Sequence, residues 1–351
     1  MRVLSVAYPF SPVGPDAVGG AEQVLTALDA ALVRAGHASI VIARAGSTAK
    51  GTLLPLPAPA SLDEGSRAAV YADVRRAIGL ALARFPVDLL HFHGMDFAAY
   101  LPPEGPPDGP PALATLHLPV PLYPAAALFP RRPGTWLHCV SESQRRGCPE
   151  GAPLLPTVPN GVDLGAFRPT SRKRGFALCL GRICPEKGYH EALDAAREAG
   201  IPIVLAGQVF PYPDHQRYFQ REIVPRLGAL GNAWFLGPLG LARKRRLLAA
   251  ARCLVVPSRI AETSSLVAME ALASGTPVVA FRAGALPDIV ESGRTGLLVS
   301  DRQEMAQALR NVEAIDPAEC RREAERRFSA AAMIAAYFDL YRQLTAAVVH
   351  V

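Results

Sequence analysis

The stretch Phe176-Ala177-Leu178-Cys179-Leu180-Gly181-Arg182-Ile183-Cys184-Pro185-Glu186-Lys187-Gly188, running on through Glu191–Ala199 to Ile203–Ala206, decides the fold. Phe176 to Leu180 is a short apolar run that stops at a glycine. A polar turn follows, then a helical segment from Glu191 to Ala199, and then a second apolar run from Ile203 to Ala206. Strand, loop, helix, strand is the building unit of a parallel sheet covered on both faces. The alternation continues downstream: strands are expected at Trp234–Leu236, Leu254–Val256 and Val278–Phe281, and helices at Leu247–Ala251 and Leu266–Ala273. From Arg302 onward the chain reads as mostly helical.

Upstream, the same grammar appears a second time. Val3 to Ala7 is apolar and Tyr8 to Gly20 is a Pro/Gly-rich loop. Ala21 to Ala35 carries Val24, Leu25, Leu28 and Leu32 at helical spacing, with Gly36 as a stop. Strand-like runs recur at Ser39–Ala43, Val87–Leu90, Ala112–Leu116, Trp136–Val140 and Leu154–Val158. The basic, polar stretch Phe167 to Gly175 reads as a linker. A chain of 351 residues suits two domains. The expected organisation is an α/β protein of two Rossmann-like, doubly wound domains, 1–168 and 169–328, facing across a cleft. A terminal helix, 329–351, crosses back to the first. Ligands of such sheets sit beyond the carboxyl ends of the strands.

Composition narrows the function. Half the residues are hydrophobic and 19% are charged, which excludes a disordered chain. The surplus of +6 suits an anionic small molecule better than nucleic acid, whose binders concentrate more charge on one face. Six cysteines without C-x-x-C spacing read as reduced thiols of a cytoplasmic protein. No run reaches the roughly 18 apolar residues of a membrane span, and Pro9, Pro12 and Pro15 break the N-terminal run too early for a signal peptide. Leu101 to Pro111 reads as a polyproline spacer loop.

No G-x-G-x-x-G follows a strand and no G-x-x-x-x-G-K-[ST] occurs, which argues against a dinucleotide oxidoreductase and a P-loop NTPase. Gly19-Gly20-Ala21-Glu22 at a helix start is compatible with anion binding at backbone amides and equally with a plain loop. Arg182 and Lys187, five apart on a strand-to-helix loop between Gly181 and Gly188, can converge on one diphosphate; a solvated pair of cations is the competing reading. In Glu262-Thr263-Ser264-Ser265-Leu266 through Glu270, a cap at Ser264 or Ser265 leaves Glu262 in the loop and Glu270 in the helix. Glu270 lies beside Val267, Met269 and Leu272, an awkward place for a carboxylate without a partner.

These motifs together resemble the retaining, nucleotide-sugar-dependent glycosyltransferases of the GT-B fold, family 4. The resemblance also takes in Thr115-Leu116-His117, Val140-Ser141-Glu142, Pro159-Asn160-Gly161-Val162-Asp163, Leu205-Ala206-Gly207, Gly284-Ala285-Leu286-Pro287-Asp288 and Gly296-Leu297-Leu298-Val299. It implies that Arg182 and Lys187 bind the donor diphosphate, with Gly181 opening their loop. It implies that Glu270 holds the ribose, and that Glu262 with the amides of Ser264, Ser265 and Leu266 holds the transferred sugar. Gly19 and Gly20 would let the first loop approach the phosphates, and His117 would contact the donor sugar. Two departures stand out. Thr263-Ser264-Ser265 replaces the family's usual Pro-Phe-Gly or Gly-Phe-Gly, and Asp288 replaces a commoner Glu.

The implied activity is front-face transfer of a sugar from a nucleotide-diphosphate sugar, UDP- or GDP-linked with UDP favoured, to an acceptor hydroxyl. No cofactor is expected, and no metal, since neither Asp-x-Asp nor a ligand-spaced His/Cys cluster is present. The acceptor is a small molecule, a saccharide or a lipid-linked sugar; Pro121–Arg132 reads first as a plain surface loop and second as a contact for a lipid-linked acceptor, and peripheral membrane contact is a further expectation. His93 is an acceptor-side candidate, with His91 assigned to the opposite side of its strand. The Arg243-Lys244-Arg245-Arg246 run reads as a solvated helix face. A sugar-nucleotide 2-epimerase or hydrolase of the same architecture and a non-catalytic sugar-nucleotide-binding protein are the alternatives.

Overall fold

Two six-stranded parallel sheets carry the chain in a computed structural model that describes residues 1–58, 63–170, 172–229 and 231–348. Ser171 of the expected linker and the last three residues of the expected terminal helix lie outside the described residues. The first sheet comprises β1 (Arg2–Val6), β2 (Ala38–Arg44), β3 (Thr52–Leu56), β4 (Leu89–Phe92), β5 (Ala112–Leu116) and β6 (Thr135–Cys139), in the order β3-β2-β1-β4-β5-β6. The second comprises β7 (Ala177–Leu180), β8 (Ile203–Ala206), β9 (Ala233–Phe235), β10 (Cys253–Val256), β11 (Val278–Phe281) and β12 (Gly296–Val299), in the order β12-β11-β10-β7-β8-β9. Each sheet starts with a central strand and grows first to one side, then to the other. The strand order therefore reverses between β1 and β4 and between β7 and β10, the places where a doubly wound sheet opens a crevice at its carboxyl edge.

Burial explains the pattern of the strands. β4, β5, β8, β10 and β11 are buried along their whole length, as expected of strands covered on both faces. The helix Leu266–Ala273 has the bounds its apolar run predicts. The helix at 241–250 begins six residues before the predicted Leu247. Leu154–Val158 is not a strand. Pro156 and Pro159 remove ladder donors there, and the segment joins β6 through the single bridge Leu137–Leu154. β3 went unrecognised because Pro55 interrupts its apolar run at the sheet edge.

The chain divides into one unit of Met1–Pro159 together with the chain from Ala332 onward, and another of Asn160–Ala331. The division after Pro159 lies upstream of the basic stretch, for a physical reason. Val162 and Phe167 are buried in the second unit's core. Lys173 is drawn into the same unit, donating to the carbonyls of Ala249 at 2.8 Å and Ser274 at 3.1 Å and to Thr276 Oγ1 at 2.5 Å. In the first unit, Met333, Tyr337, Leu340, Tyr341 and Leu344 of the helix Ala330–Val348 pack against Val3, Val24, Leu28, Leu89 and Leu113. No helix among the described residues is long and apolar enough to cross a membrane.

Candidate functional site

The second unit gathers its charge at the point where its strand order reverses. Arg182 and Lys187 lie on the loop after β7, and Glu262 on the loop after the adjacent β10. Two glycines let these loops close up. Gly188 has φ +64°, and a Cβ there would stand 2.2 Å from the Pro257 carbonyl oxygen just beyond β10. Gly284 has φ +57°, and a Cβ would stand 2.2 Å from the Glu262 carbonyl oxygen, which accepts the Ala285 amide at 2.7 Å. Only glycine meets both demands at once. Between the loops, Lys187 Nζ donates to Glu262 Oε1 at 2.5 Å, with both side chains largely shielded. Arg182 is half-buried and has no carboxylate within ion-pair distance among the described residues.

Glu262 is in the loop and Ser265 is the N-cap residue of Leu266–Ala273, where one of the two expected caps falls. Its side chain makes no capping bond. Ser264 Oγ is buried without a hydrogen-bond partner, an orphan donor beside Glu262. Leu266 opens the helix and is half-buried. Glu270, one turn on, is almost fully buried and does have a partner: Lys244 Nζ donates to its Oε1 at 2.6 Å. Burial pushes the Glu270 carboxyl above its usual range, against the pull of Lys244. Lys244 also lies over the Phe167 ring, 5.5 Å from its centroid. The solvated-face reading of Arg243–Arg246 is therefore corrected at Lys244, which only the need of a buried carboxylate for a cation could have revealed. Gly181, at φ +151°, sits where a Cβ would meet the Tyr189 hydroxyl at 2.8 Å.

The first unit presents histidines at the corresponding edge. His93 follows β4 and His117 follows β5. Their Nδ1 and Nε2 lie 3.1 Å apart, with the rings stacked at 5.3 Å. Burial, aided by His138, lowers His117 to about 3, and burial chiefly holds His93 well below the usual imidazole range. Both are neutral at pH 7, one nitrogen donating and the other accepting. His93 Nε2 is buried without a partner. His91 does not turn to the opposite side as assigned. Being two residues from His93 it shares a face of the strand, and the ring centroids are 4.0 Å apart. It bonds to Tyr341 Oη and Thr115 Oγ1, both at 2.7 Å, and Thr115 Oγ1 also meets His138 Nε2 at 2.7 Å. Gly19 caps the helix Gly20–Arg34, and the Glu22 carboxylate lies over it, 1.9 Å from where a Cβ would stand. That helix start already holds an anion of its own.

One grouping escaped sequence reasoning altogether. Cys184, Glu186 and His215 bring ligand atoms within 4.8 Å of one another, although no metal-site spacing links them.

The family description "Glycosyl transferases group 1" matches residues 174–314, and "Glycosyltransferase Family 4" matches residues 18–166. The chain belongs to the GT-B glycosyltransferases. Among relatives of this family, a D-inositol 3-phosphate glycosyltransferase of a Nocardioides species is 36% identical over 180 residues, covering 43% of this chain and 39% of that protein. The Mycobacterium bovis protein of the same name is 35% identical over 165 residues, covering 42% and 33%. The chain thus matches well under half the length of these curated relatives. Among solved structures, the glycosyltransferase AviGT4 of avilamycin A biosynthesis is 25% identical, covering 99% of this chain and 98% of its own, with a TM-score of 0.71. Sucrose-phosphate synthase from Thermosynechococcus elongatus reaches a TM-score of 0.81 at 21% identity, covering 99% and 100%. Anabaena Alr3699/HepE, solved in complex with UDP-glucose, reaches 0.73 at 19% identity, covering all of both chains.

Proposed function

We propose that this GT-B family member transfers a sugar from a nucleotide-diphosphate sugar to an acceptor hydroxyl, with the donor held by the second unit. The observation that carries this reading is the Lys187–Glu262 pair at 2.5 Å between the loops after β7 and β10. Without a ligand each group serves as the other's counterion. A donor diphosphate takes over Lys187 and draws in Arg182, which has no carboxylate partner among the described residues. Glu262, so released, accepts from hydroxyls of the transferred sugar, Ser264 and Ser265 bond to its hydroxyls, and the Leu266 amide donates to it. Glu270, kept in place by Lys244, accepts the ribose hydroxyls.

The chemistry follows from where charge develops. As the glycosidic bond to the diphosphate breaks, negative charge builds on the leaving oxygen, where fixed cations act most strongly. Arg182 and Lys187 supply that stabilisation, so the reaction runs without a metal. With Glu262 committed to hydroxyls of the transferred sugar rather than to the reacting carbon, front-face transfer with retention is favoured over a double displacement. The departing diphosphate oxygen takes the acceptor hydroxyl's proton. His93 and His117, neutral and hydrogen-bonded, offer uncharged contacts to sugar hydroxyls. A uridine-linked donor is the form to test first, as HepE of the same fold was solved with UDP-glucose. A polyol or saccharide, such as the inositol phosphate that the Nocardioides relative is named for, is the first acceptor class.

Thermal-shift screening with UDP, GDP, ADP and their sugars tests the donor; product anomer analysis and added chelator test retention and metal independence. Unchanged melting with every nucleotide overturns the donor assignment, and release of free sugar or an epimer at full rate without acceptor favours the hydrolase or epimerase.

A further inference from the structure

Three different ligand types converge beside the β7 loop. Cys184 Sγ, a Glu186 carboxylate oxygen and a ring nitrogen of His215 all lie within 4.8 Å of one another. Cys184 precedes the short turn Pro185–Lys187 that contains Glu186, and His215 belongs to the helix Pro213–Tyr218, so two separate elements meet here. A second observation marks the spot as unfinished. His215 Nδ1 is buried without a hydrogen-bond partner, and a buried polar atom left bare is costly. An open cavity of about 630 Å³ is lined by Glu186 and His215 of the group, with Tyr212, Asp214 and Glu222.

The donor set has its own selectivity. Mg²⁺ and Ca²⁺ take oxygen ligands, whereas a sulfur–nitrogen–oxygen triad suits a borderline-soft ion. The Cys184 thiol donates its proton to the Arg182 carbonyl at 3.7 Å. A bound dication displaces that proton to solvent, leaving a thiolate ligand.

We propose that Cys184, Glu186 and His215 form a three-ligand site for a divalent cation of the zinc class, with its fourth position open to the cavity. The ion ties the turn before Lys187 to the helix Pro213–Tyr218 and stabilises the second unit. The site is independent of the transfer reading and stands or falls separately from it.

Cobalt is the probe. Chelator-stripped full-length protein titrated with Co²⁺ is expected to develop a thiolate-to-cobalt charge-transfer band that saturates at one equivalent, is bleached by Zn²⁺, and accompanies release of one proton in buffers of differing ionisation enthalpy. Zn²⁺ is also expected to raise the melting temperature in proportion to occupancy. Cys184→Ser removes the band. His215→Ala, at a half-buried residue, weakens cobalt by at least the roughly 10–100-fold typical of losing a ligand's support. Circular dichroism of both variants verifies folding. No band in the wild-type protein, or a band of full strength in Cys184→Ser arising from Cys139 and Cys148, overturns the site.

Discussion

The two sheets share one strand order, and their carboxyl edges differ completely in chemistry. The first unit places neutral, buried histidines there: His93 and His117, just beyond β4 and β5, are bonded to each other, and His91 and His138, within β4 and β6, are bonded through Thr115, with His91 also bonded to Tyr341. Where β7 and β10 part, the second unit places ion pairs, Lys187 with Glu262, with Lys244–Glu270 close behind in the next helix. Topology determines where loops gather. Side-chain chemistry then determines whether the gathered loops meet a ligand with charge or with uncharged hydrogen bonds.

The largest expected effect lies on the charged side. Arg182→Ala or Lys187→Ala should each lower kcat/KM for transfer by about 100-fold or more, the scale for a removed transition-state donor. A transfer assay that finds either variant at the wild-type rate breaks the assignment of charge to the second unit.

Next comes stability. Glu270→Leu leaves Lys244 shielded and unpaired and should cost about 3–5 kcal/mol, whereas the double variant Glu270→Leu/Lys244→Met should regain most of it. Urea unfolding of the three proteins decides. A double variant no better than the single one shows that the pair does not act as a pair.

The histidine side sharpens the contrast through pH. Burial lowers all four imidazoles, His138 to about 4 and His117 to about 3 from the ordinary 6.5. Below about pH 6.5 the unfolded chain therefore binds protons that the folded chain refuses. Stability falls by about 1.4 kcal/mol per pH unit for each histidine until the folded values are reached, and is unaffected by them above about pH 7. Trp136 lies in β6 and Trp234 in β9, one in each unit. In Trp234→Phe and Trp136→Phe proteins, the remaining fluorophore should report earlier acid unfolding for the first unit. His190 and His215 of the second unit are lowered too, but only partly buried. Coincident acid midpoints contradict the comparison.

The smallest effects concern helix starts. Asp301 accepts the Glu304 amide at 2.8 Å, so Asp301→Ala should cost about 1 kcal/mol. Ser265 makes no such bond, and Ser265→Ala should change stability by less than about 0.5 kcal/mol while weakening donor binding. A stability loss for Ser265→Ala equal to that for Asp301→Ala would make Ser265 an ordinary cap.

Much of this was legible in the chain because local patterns carry it. The apolar runs after Gly175 and before Gly181 mark β7, and Glu262 falls in a loop because the helix run begins at Leu266. What stayed hidden depends on contacts far apart in sequence. Lys244 meets Glu270 across 26 positions, and His91 meets Tyr341 across 250. Neither distance leaves a periodic trace. The linker was misplaced for a related reason. A basic run reads as solvated until three backbone and hydroxyl oxygens are found waiting for Lys173.

The helix Ala330–Val348 has a consequence for how the molecule is made. Its tyrosines and leucines finish the core of a unit whose sheet leaves the ribosome first, yet the whole of Asn160–Ala331 is translated in between. The earlier-born half must wait, with Val3, Leu89 and Leu113 uncovered, while the later-born half can complete itself. During synthesis the first core should therefore be the later of the two to close.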